Sequence, residues 1–231
     1  MSQHVPTPIE DYAVLGDLGT AALVSRRGSV DWLCLPRFDS RACFAALLGT
    51  PDHGRWLITP ADPDAVTTRS YVGNSFVLET THETATGRVR VTDLMPLGDG
   101  RSDLLRRIEG LEGTVRMLHE WTVRFDYGRT RPWVARHTDE RIDRTDEVIT
   151  AIAGPDMLVL RGARLPHAQK GHHVDEFDVT AARPSPSRRR GSAATTPSRH
   201  RSGSGPASAR RSRGARSTPP TATTWARTPQ P

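Results

Sequence analysis

This 231-residue sequence is poor in cysteine and contains no long apolar run. Its two cysteines, Cys34 and Cys43, cannot build a disulfide framework, so two buried free thiols are favoured over a single disulfide between them. No apolar run approaches the roughly 18–20 residues that a membrane-spanning helix needs. The first residues show no basic stretch followed by an apolar core, which a signal peptide would have. These absences favour a cytoplasmic protein with no membrane partner.

The motifs of several enzyme classes are also absent. There is no Gly-x-Gly-x-x-Gly, no Walker sequence and no Gly-x-Ser-x-Gly, so nucleotide binding and serine-hydrolase chemistry have no sequence support. His167, His172 and His173 lie with Lys170 in the polar segment RLPHAQKGHHVD. Their spacing fits no closed zinc site and no cysteine lies nearby in the sequence. We interpret this segment as a solvent-exposed loop and predict no metal and no other cofactor.

The last 49 residues, 183–231, differ from the rest of the chain. They contain eleven arginines but no Asp, Glu or Lys, and their only large apolar residue is Trp225. Such a segment cannot bury enough apolar surface to offset chain entropy, so we expect an Arg/Ser/Pro-rich disordered tail. Without these arginines the chain has 21 basic and 26 acidic residues, a net charge of −5. The high pI therefore belongs to the tail.

Residues 1–182 have the alternating pattern of β-strands. The segment VRMLHEWTVRFD places apolar residues and one histidine on one face, and mostly polar residues on a wetter face that includes Arg116, Thr122 and Arg124. The buried face comprises Val115, Met117, His119, Trp121, Val123 and Phe125. Further predicted strands cover 20–25, 29–35, 55–60, 75–83, 88–95, 104–112, 147–153, 157–162 and 173–180. Many short strands with almost no helix predict an all-β domain, an antiparallel β-sandwich of about ten or more strands.

Two local signals add detail to this prediction. The segment TATG predicts a hairpin turn in which Gly87 adopts a positive φ. One short helix is predicted over Ser40–Leu48, because Asp39 or Ser40 can cap it and apolar residues recur at helical spacing. Gly49 would then end the helix in a left-handed conformation.

Two clusters of stiff and charged residues are candidates for function. The first is the bend that contains Trp32, Pro36, Arg37, Phe38 and Asp39. In a structural interpretation, Trp32 and Phe38 anchor the core, Pro36 sets the turn, and Asp39 pairs with Arg37.

The second cluster lies in RFDYGRTRPW and contains Asp126, Tyr127, Arg129, Arg131 and Trp133. Its structural interpretation is a strand that turns at Gly128, with its arginines paired to nearby acids. A third segment, HTDERIDRTDEV, interleaves Arg141 and Arg144 with acids and is interpreted as a solvated face or turn rather than a catalytic pair. The acids are Asp139, Glu140, Asp143, Asp146 and Glu147.

Several blocks, in order over about residues 8–180, resemble bacterial glycoside hydrolase family 15, the trehalase and glucoamylase-like group. They include PIEDYAVLGDLGTAALVSRRGSVDWLCLPRFDSRACFAALLG, VLETTHETATGRVRVTDLMP, LLRRIEGLEGTVRM and AIAGPDMLVLRG. The resemblance implies an N-terminal β-sandwich followed by a linker and an (α/α)6 barrel that carries both catalytic carboxylates. This chain ends before any barrel could begin, so no catalytic residue is assigned to it.

The parent activity that the resemblance implies is inverting hydrolysis of an α-glucoside such as trehalose or a maltooligosaccharide. We expect this chain to be inactive alone, with the barrel missing or supplied in trans. In full-length relatives, the bend at Trp32, Pro36, Arg37, Phe38 and Asp39 would wall the sugar pocket. Asp126, Tyr127, Arg129 and Trp133 would then dock the barrel.

The tail suggests a frameshift near residue 180. Arg outnumbers Lys 31 to 1, and a GC-rich gene read out of frame yields the residue types that fill 183–231. Two rival functions stay open: a stand-alone carbohydrate-binding or interaction sandwich, and non-specific nucleic-acid binding through the tail.

Overall fold

The computed structural model describes residues 7–98, 102–139 and 146–182, and the backbone of 222–223. Of Asp139 and Asp146 it describes the backbone only. The predicted disordered tail, 183–231, and the frameshift suggested for it lie outside the described residues, apart from the backbone of 222–223.

The described chain is built from strands, and every strand pairing in it is antiparallel. The strands are β1 Tyr12–Gly16, β2 Ala21–Ser25, β3 Ser29–Cys34, β4 Ala42–Phe44, β5 Arg55–Pro60, β6 Val66–Tyr71, β7 Leu78–Thr84, β8 Gly87–Leu94, β9 Leu105–Thr122, β10 Trp133–Asp139, β11 Asp146–Ala153, β12 Asp156–Arg161, β13 His167–Gln169, β14 His172–Thr180 and β15 Ala222–Thr223. Three 3-10 helices, η1 Ile9–Asp11, η2 Ala46–Leu48 and η3 Pro51–His53, complete the described elements. No helix in these ranges combines the length and the apolarity that a transmembrane crossing requires.

The strands form a twelve-stranded curled sheet and a three-stranded sheet. The large sheet runs β1-β2-β3-β5-β9-β8-β7-β6, with β14 and β15 also on β9, β13 on β14, and β4 on β3. The small sheet is β10-β11-β12. Buried side chains from both sheets form one hydrophobic core that includes Trp56, Trp121 and Ile149. The predicted all-β antiparallel sandwich is therefore confirmed.

The long strand β9 joins the two halves of the large sheet. Its first half pairs with β8, and its second half lies between β5 and β14. The change of partner occurs at Gly113, whose φ is 57°, next to a register shift opposite Arg88 and Val89. A bulge and a left-handed residue let a strand bend from one layer to the next. The sequence predicted two strands here, over 104–112 and from 115 onward, where the structure has one.

The alternation predicted from VRMLHEWTVRFD is confirmed on its inner face. Val115, Met117, His119, Trp121, Val123 and Phe125 are all buried. The outer face is less wet than predicted, because Thr122 and Arg124 are buried as well. The β13–β14 hairpin covers them: the Thr122 hydroxyl hydrogen-bonds His172, and Arg124 donates to the Gly171 carbonyl.

The predicted helix over Ser40–Leu48 is wrong. Residues Ala42–Phe44 form β4, which pairs with β3, and only the short η2 follows. Cys43, Phe44 and Ala45 are all buried, so this apolar run packs on every side instead of presenting one helical stripe. Gly49 has a φ of −171°, which is extended and not the left-handed stop that was predicted.

The hairpin predicted at TATG is present between β7 and β8, but Gly87 does not adopt a positive φ. Glycine is required there by space, because a Cβ on Gly87 would lie 2.3 Å from the Glu112 carbonyl oxygen. The strand before the turn begins at Leu78, three residues later than predicted.

A buried arginine ties three strands of the large sheet to the turn before β3. Arg106 on β9 donates to both oxygens of Asp93 on β8, at 2.9 and 3.3 Å. It also donates to the carbonyls of Trp56 and Gly28, each at 2.7 Å. Its guanidinium lies 5.1 Å from the centre of the Trp56 ring. Both charged side chains are buried away from water, so the fold is stable only if Arg106 and Asp93 pair with each other.

Candidate functional site

The first predicted cluster forms a bend directly after β3. The Leu35–Pro36 peptide bond is cis. Arg37 pairs with Asp39 through two hydrogen bonds of 2.9 and 3.2 Å, as the structural interpretation predicted. This guanidinium holds the pKa of the Asp39 carboxyl below its usual value. Phe38 is 65% exposed, so its predicted role as a core anchor is wrong.

Neighbouring loops hold the bend from outside. The Phe38 amide donates to the Gly19 carbonyl at 3.1 Å, and the Ser102 hydroxyl donates to the Pro36 carbonyl at 3.1 Å. These bonds involve backbone atoms of the bend, which leaves the Phe38 ring unused. The Phe38 side chain is thus free to face a ligand or a partner.

The second cluster forms a tight turn after β9. Asp126, Tyr127 and Gly128 have φ values of 52°, 58° and 92°, and the Phe125–Thr130 bridge closes the turn. Gly128 lies at the turn as predicted, and a Cβ there would lie 2.7 Å from the His53 ring. Two successive non-glycine residues in the left-handed region are costly and occur where the surroundings hold them.

The structure brings the two clusters together. The rings of Trp32 and Tyr127 lie 6.0 Å apart, although the residues are 95 positions apart in the chain. Arg41 lies 3.7 Å from Asp126, and the Tyr127 amide donates to the Ala42 carbonyl at 3.5 Å. Trp32 is half-buried against the small apolar group of Cys34, Ala42 and Ala45, which includes one of the two free thiols. We call Trp32, Arg41, Asp126 and Tyr127 the joined surface.

Other members of the second cluster stand apart from this surface. Trp133, at the start of β10, is 78% exposed and stacks on no other ring of the described chain. Arg129 and Arg131 form no ion pair with a side chain that the structure describes, and the acids of 139–146 lie outside those side chains, so the predicted pairing stays a prediction. The exposed Trp133 ring is available to a partner.

The histidine segment is a hairpin and not the loop that was predicted. His167 lies on β13, His172 and His173 lie on β14, and Lys170 and Gly171 form the turn with φ values of 49° and 84°. Burial, followed by nearby positive charge, lowers the pKa of His173, whose ring packs edge-on against Trp121 at 5.7 Å. A cleft of about 320 Å³ lies between this hairpin and residues 121–134. Within the described ranges, no three His, Cys, Asp or Glu side chains gather where they could hold a metal ion.

The acidic segment joins two strands. Asp139 ends β10 opposite Asp146 at the start of β11, while 140–145 lie outside the described residues. Glu147 lies 3.4 Å from Arg136 across this pair of strands. Residues that were interpreted as a turn or solvated face thus belong partly to a β-ribbon.

A polar cleft that sequence reasoning missed opens on the outer face of the large sheet. It measures about 420 Å³ and is lined by side chains of β1, β3, β5 and β9, among them Tyr12, Asp31, Arg55 and Leu118. Asp31 accepts hydrogen bonds from the Tyr12 hydroxyl at 2.8 Å and from the Ser29 hydroxyl at 2.5 Å. The sequence feature that could have indicated this cleft is Asp31, an aspartate between Val30 and Trp32 in a strand whose other residues are mostly apolar.

Comparison with known proteins places these sites in a family. The profile described as trehalase-like, N-terminal matches residues 1–162. The trehalases of Mycobacterium tuberculosis and Mycolicibacterium smegmatis are each 34% identical over 141 residues, which cover 53% of this chain and 21% of those proteins. Trehalase 1 of Sulfolobus acidocaldarius is 33% identical over 128 residues, covering 54% of this chain and 22% of that protein. The chain therefore spans about a fifth of the length of these relatives.

No solved structure matches the chain significantly. The profile match covers well over half of the chain and includes both predicted clusters and the residues of the polar cleft. By that match, this protein belongs to the family of trehalase-like N-terminal domains.

Proposed function

We propose that this chain is the non-catalytic N-terminal domain of a glycoside hydrolase of family 15 and is inactive alone. The observation that carries the proposal is the family match over 1–162, in a chain that spans about a fifth of its trehalase relatives. The parent reaction would be inverting hydrolysis of an α-glucoside, trehalose or a maltooligosaccharide, by carboxylates outside this domain. Two buried free thiols support a cytoplasmic location.

The electrostatics of two described carboxyl groups make them unsuited to act as the general acid. A glycosidase acid needs a raised pKa so that it holds a proton near neutral pH. The pKa values of Asp39 and Asp175 are shifted in the opposite direction, each chiefly by a hydrogen bond from an arginine, Arg37 or Arg164. Both groups are therefore ionised and cannot donate a proton to a leaving oxygen.

The domain would act by contact with the catalytic domain. Asp126, Tyr127, Arg129 and Trp133 form the proposed docking side, supported by the exposure of Trp133. The bend that contains Trp32 and Pro36–Asp39 is the proposed wall of the sugar pocket, supported by the exposed Phe38 ring. Aromatic side chains bury large area at an interface, so both rings fit such roles.

Hydrolysis assays test this proposal. The purified chain is expected to release no glucose from trehalose or maltose, alone and after removal of 183–231. Adding the remaining part of the Mycolicibacterium smegmatis trehalase, expressed separately, is expected to restore turnover, and Trp133→Ser in this chain is expected to weaken that restoration. Turnover by the chain alone, kept after removal of the tail, would contradict the proposal.

A stand-alone carbohydrate-binding domain is the second candidate, favoured by the exposed Trp133 and Phe38 rings on which a sugar face can stack. Sugar binding without any catalytic partner, lost when Trp133 or Phe38 is replaced, would favour this candidate. The nucleic-acid alternative depends on 183–231, which lie outside the described residues. It predicts salt-sensitive binding that is lost when the chain ends at Ala182.

A further inference from the structure

The polar cleft on the outer face of the large sheet has features of a ligand site. Its floor is formed by strand residues that point away from the core, because Leu57 and Thr59 alternate with the core residues Trp56 and Ile58. Segments before β1, around η2 and after β5 form its walls. The volume of about 420 Å³ lies within the range of small-molecule sites.

A β-bulge aims a carboxylate into this cleft. In the β2–β3 ladder, Val24 pairs with Val30 and Leu23 pairs with Trp32, so Asp31 is the extra residue. Bulges redirect side chains in this way. Asp31 is buried, and its carboxylate is held by the Tyr12 and Ser29 hydroxyls. Burial, with the Asp31 bond as second cause, raises the pKa of Tyr12 to about 12, so this phenol remains a donor at neutral pH.

Two arginines supply donors in the same cleft. Arg27 is exposed and bonds to no described residue. Arg55 pairs with Glu120 through Nη2, but its Nε–H is buried and has no hydrogen-bond partner. An unpaired buried donor costs free energy, and a small shift of the Arg55 side chain, which is 24% exposed, would offer this N–H to a ligand oxygen. Leu47, Leu57 and Leu118 add apolar surface beside these groups.

This combination selects the ligand class. A carboxylate at the bulge repels an anion, and the Arg27 guanidinium repels a cation, while the charge of Arg55 is offset by Glu120, so an ion of either sign meets a like charge. A neutral molecule with several hydroxyls can donate to Asp31 and accept from Arg27 and Arg55 at once. Its C–H faces can pack against the leucines. We propose that this cleft binds a neutral carbohydrate, one or two sugar units in size.

The inference is independent of whether the chain is a domain of a hydrolase. It assigns sugar binding to Asp31, Arg27 and Arg55, which belong to neither the bend nor the docking side. Hydrolysis and complementation assays report on the proposed function, whereas equilibrium binding reports on this cleft. Failure of one would therefore be distinguishable from failure of the other.

Calorimetric titration of the full chain with glucose, maltose and trehalose tests the proposal. At least one sugar is expected to bind, and Arg27→Ala is expected to weaken it about tenfold or more, since a charged hydrogen bond is lost. Arg107→Ala, which removes an exposed arginine outside the cleft, is the matched control and is expected to leave the affinity unchanged. Asp31→Asn is a second variant. Its affinity for the sugars is interpreted only if its circular dichroism spectrum matches that of the unchanged chain.

Three results would overturn the proposal. The first is no binding of any of the three sugars by folded chain. The second is binding that Arg27→Ala leaves unchanged, which would move the sugar to another surface such as that of Trp133. The third is binding of inorganic phosphate, in a parallel titration, that is lost in Arg27→Ala while the sugars do not bind.

Discussion

Arg106 shows at the scale of one residue how this sandwich handles charge. Its side chain and that of Asp93 are 0% and 1% exposed, and the remaining guanidinium donors reach two backbone carbonyls. Arginine suits this position because its planar head can serve a carboxylate and two carbonyls at once. Removing either partner leaves the other charge buried without compensation.

Asp93→Asn is therefore expected to lower the free energy of unfolding by about 3 kcal/mol or more. Glu176→Gln is the matched control, because it neutralises one of the two exposed carboxylates, Glu176 and Asp178, that pair with Arg116, another β9 arginine. That change is expected to cost less than about 1 kcal/mol. Urea unfolding of both variants measures the difference. Equal effects would show that burial of the Arg106 pair does not matter.

Two buried histidines make the fold sensitive to acid. Burial is the main cause that lowers the pKa of His119 to about 3 and that of His82 to about 4, and the charge of Arg106 adds to both. The His119 ring accepts a hydrogen bond from Trp56 at 2.9 Å, which requires its neutral form. Both folded-state pKa values lie below the value of about 6.5 expected for unfolded chain.

Stability is therefore expected to be fully present above pH 6.5 and to fall as the pH drops toward the folded-state values. Each histidine lowers the folding equilibrium constant by up to about tenfold per pH unit in that window. Urea unfolding between pH 7.5 and about 5 measures this slope, above the range in which carboxyl groups contribute. His82→Gln is expected to make the slope shallower; an unchanged slope would contradict the assignment.

At the scale of elements, glycines decide where strands can approach. Gly113 allows β9 to pass from one half of the large sheet to the other, and a Cβ there would lie 2.1 Å from the Thr86 carbonyl oxygen. Gly154, in the turn between β11 and β12, has nearly the same φ, 59° against 57°, but nothing lies within 4 Å of its would-be Cβ. Comparing substitutions at Gly113 and Gly154 therefore separates the cost of backbone strain from the cost of a close approach between strands.

Gly154→Ala is expected to cost about 1 kcal/mol, the strain of a left-handed alanine. Gly113→Ala is expected to cost at least about 2 kcal/mol more, because the methyl group pushes the β7–β8 turn away from β9. Chemical unfolding of both variants gives the comparison. If the two glycines cost the same, the close approach of Thr86 would contribute nothing.

At the scale of the whole molecule, the end of the domain can be argued from β14. The family match ends at residue 162, yet β14 pairs with β9 from His173 to Thr180 and buries Val179 in the core. The strand covers an edge of β9 that would otherwise expose unpaired backbone groups. This supports residues 1–182 as the domain.

A chain that ends at Ala182 is expected to unfold within about 2 °C of the full chain, because it keeps every described core residue. It loses only the two-residue β15 among the described strands. A chain that ends at Gly162 is the comparison and is expected to be unfolded or aggregated. Thermal unfolding followed by circular dichroism decides; a stable chain ending at Gly162 would place the boundary at the end of the family match.

The local sequence pattern determined the strands and the fold class. Alternation with period two depends on neighbouring residues, so β8 and the inner face of β9 could be predicted closely. The strands β5 and β11 could be predicted because each is a short run of mostly apolar residues bounded by turn residues. The secondary structure of Ala42–Phe44 could not be predicted, because an apolar run is compatible with a buried strand or with a helix until its partner β3 is known. The same holds for the β13–β14 hairpin, whose histidines lacked an apolar pattern.

Tertiary structure alone decided which residues form sites. Trp32 and Tyr127 are far apart in the chain and meet only because β4 and the turn after β9 pack together. Thr122 and Arg124 alternate like exposed residues but are buried by the β13–β14 hairpin. Asp31 faces a cleft because a bulge turns it there. Alternation is a property of adjacent residues, whereas burial and juxtaposition depend on partners that only the folded chain brings together.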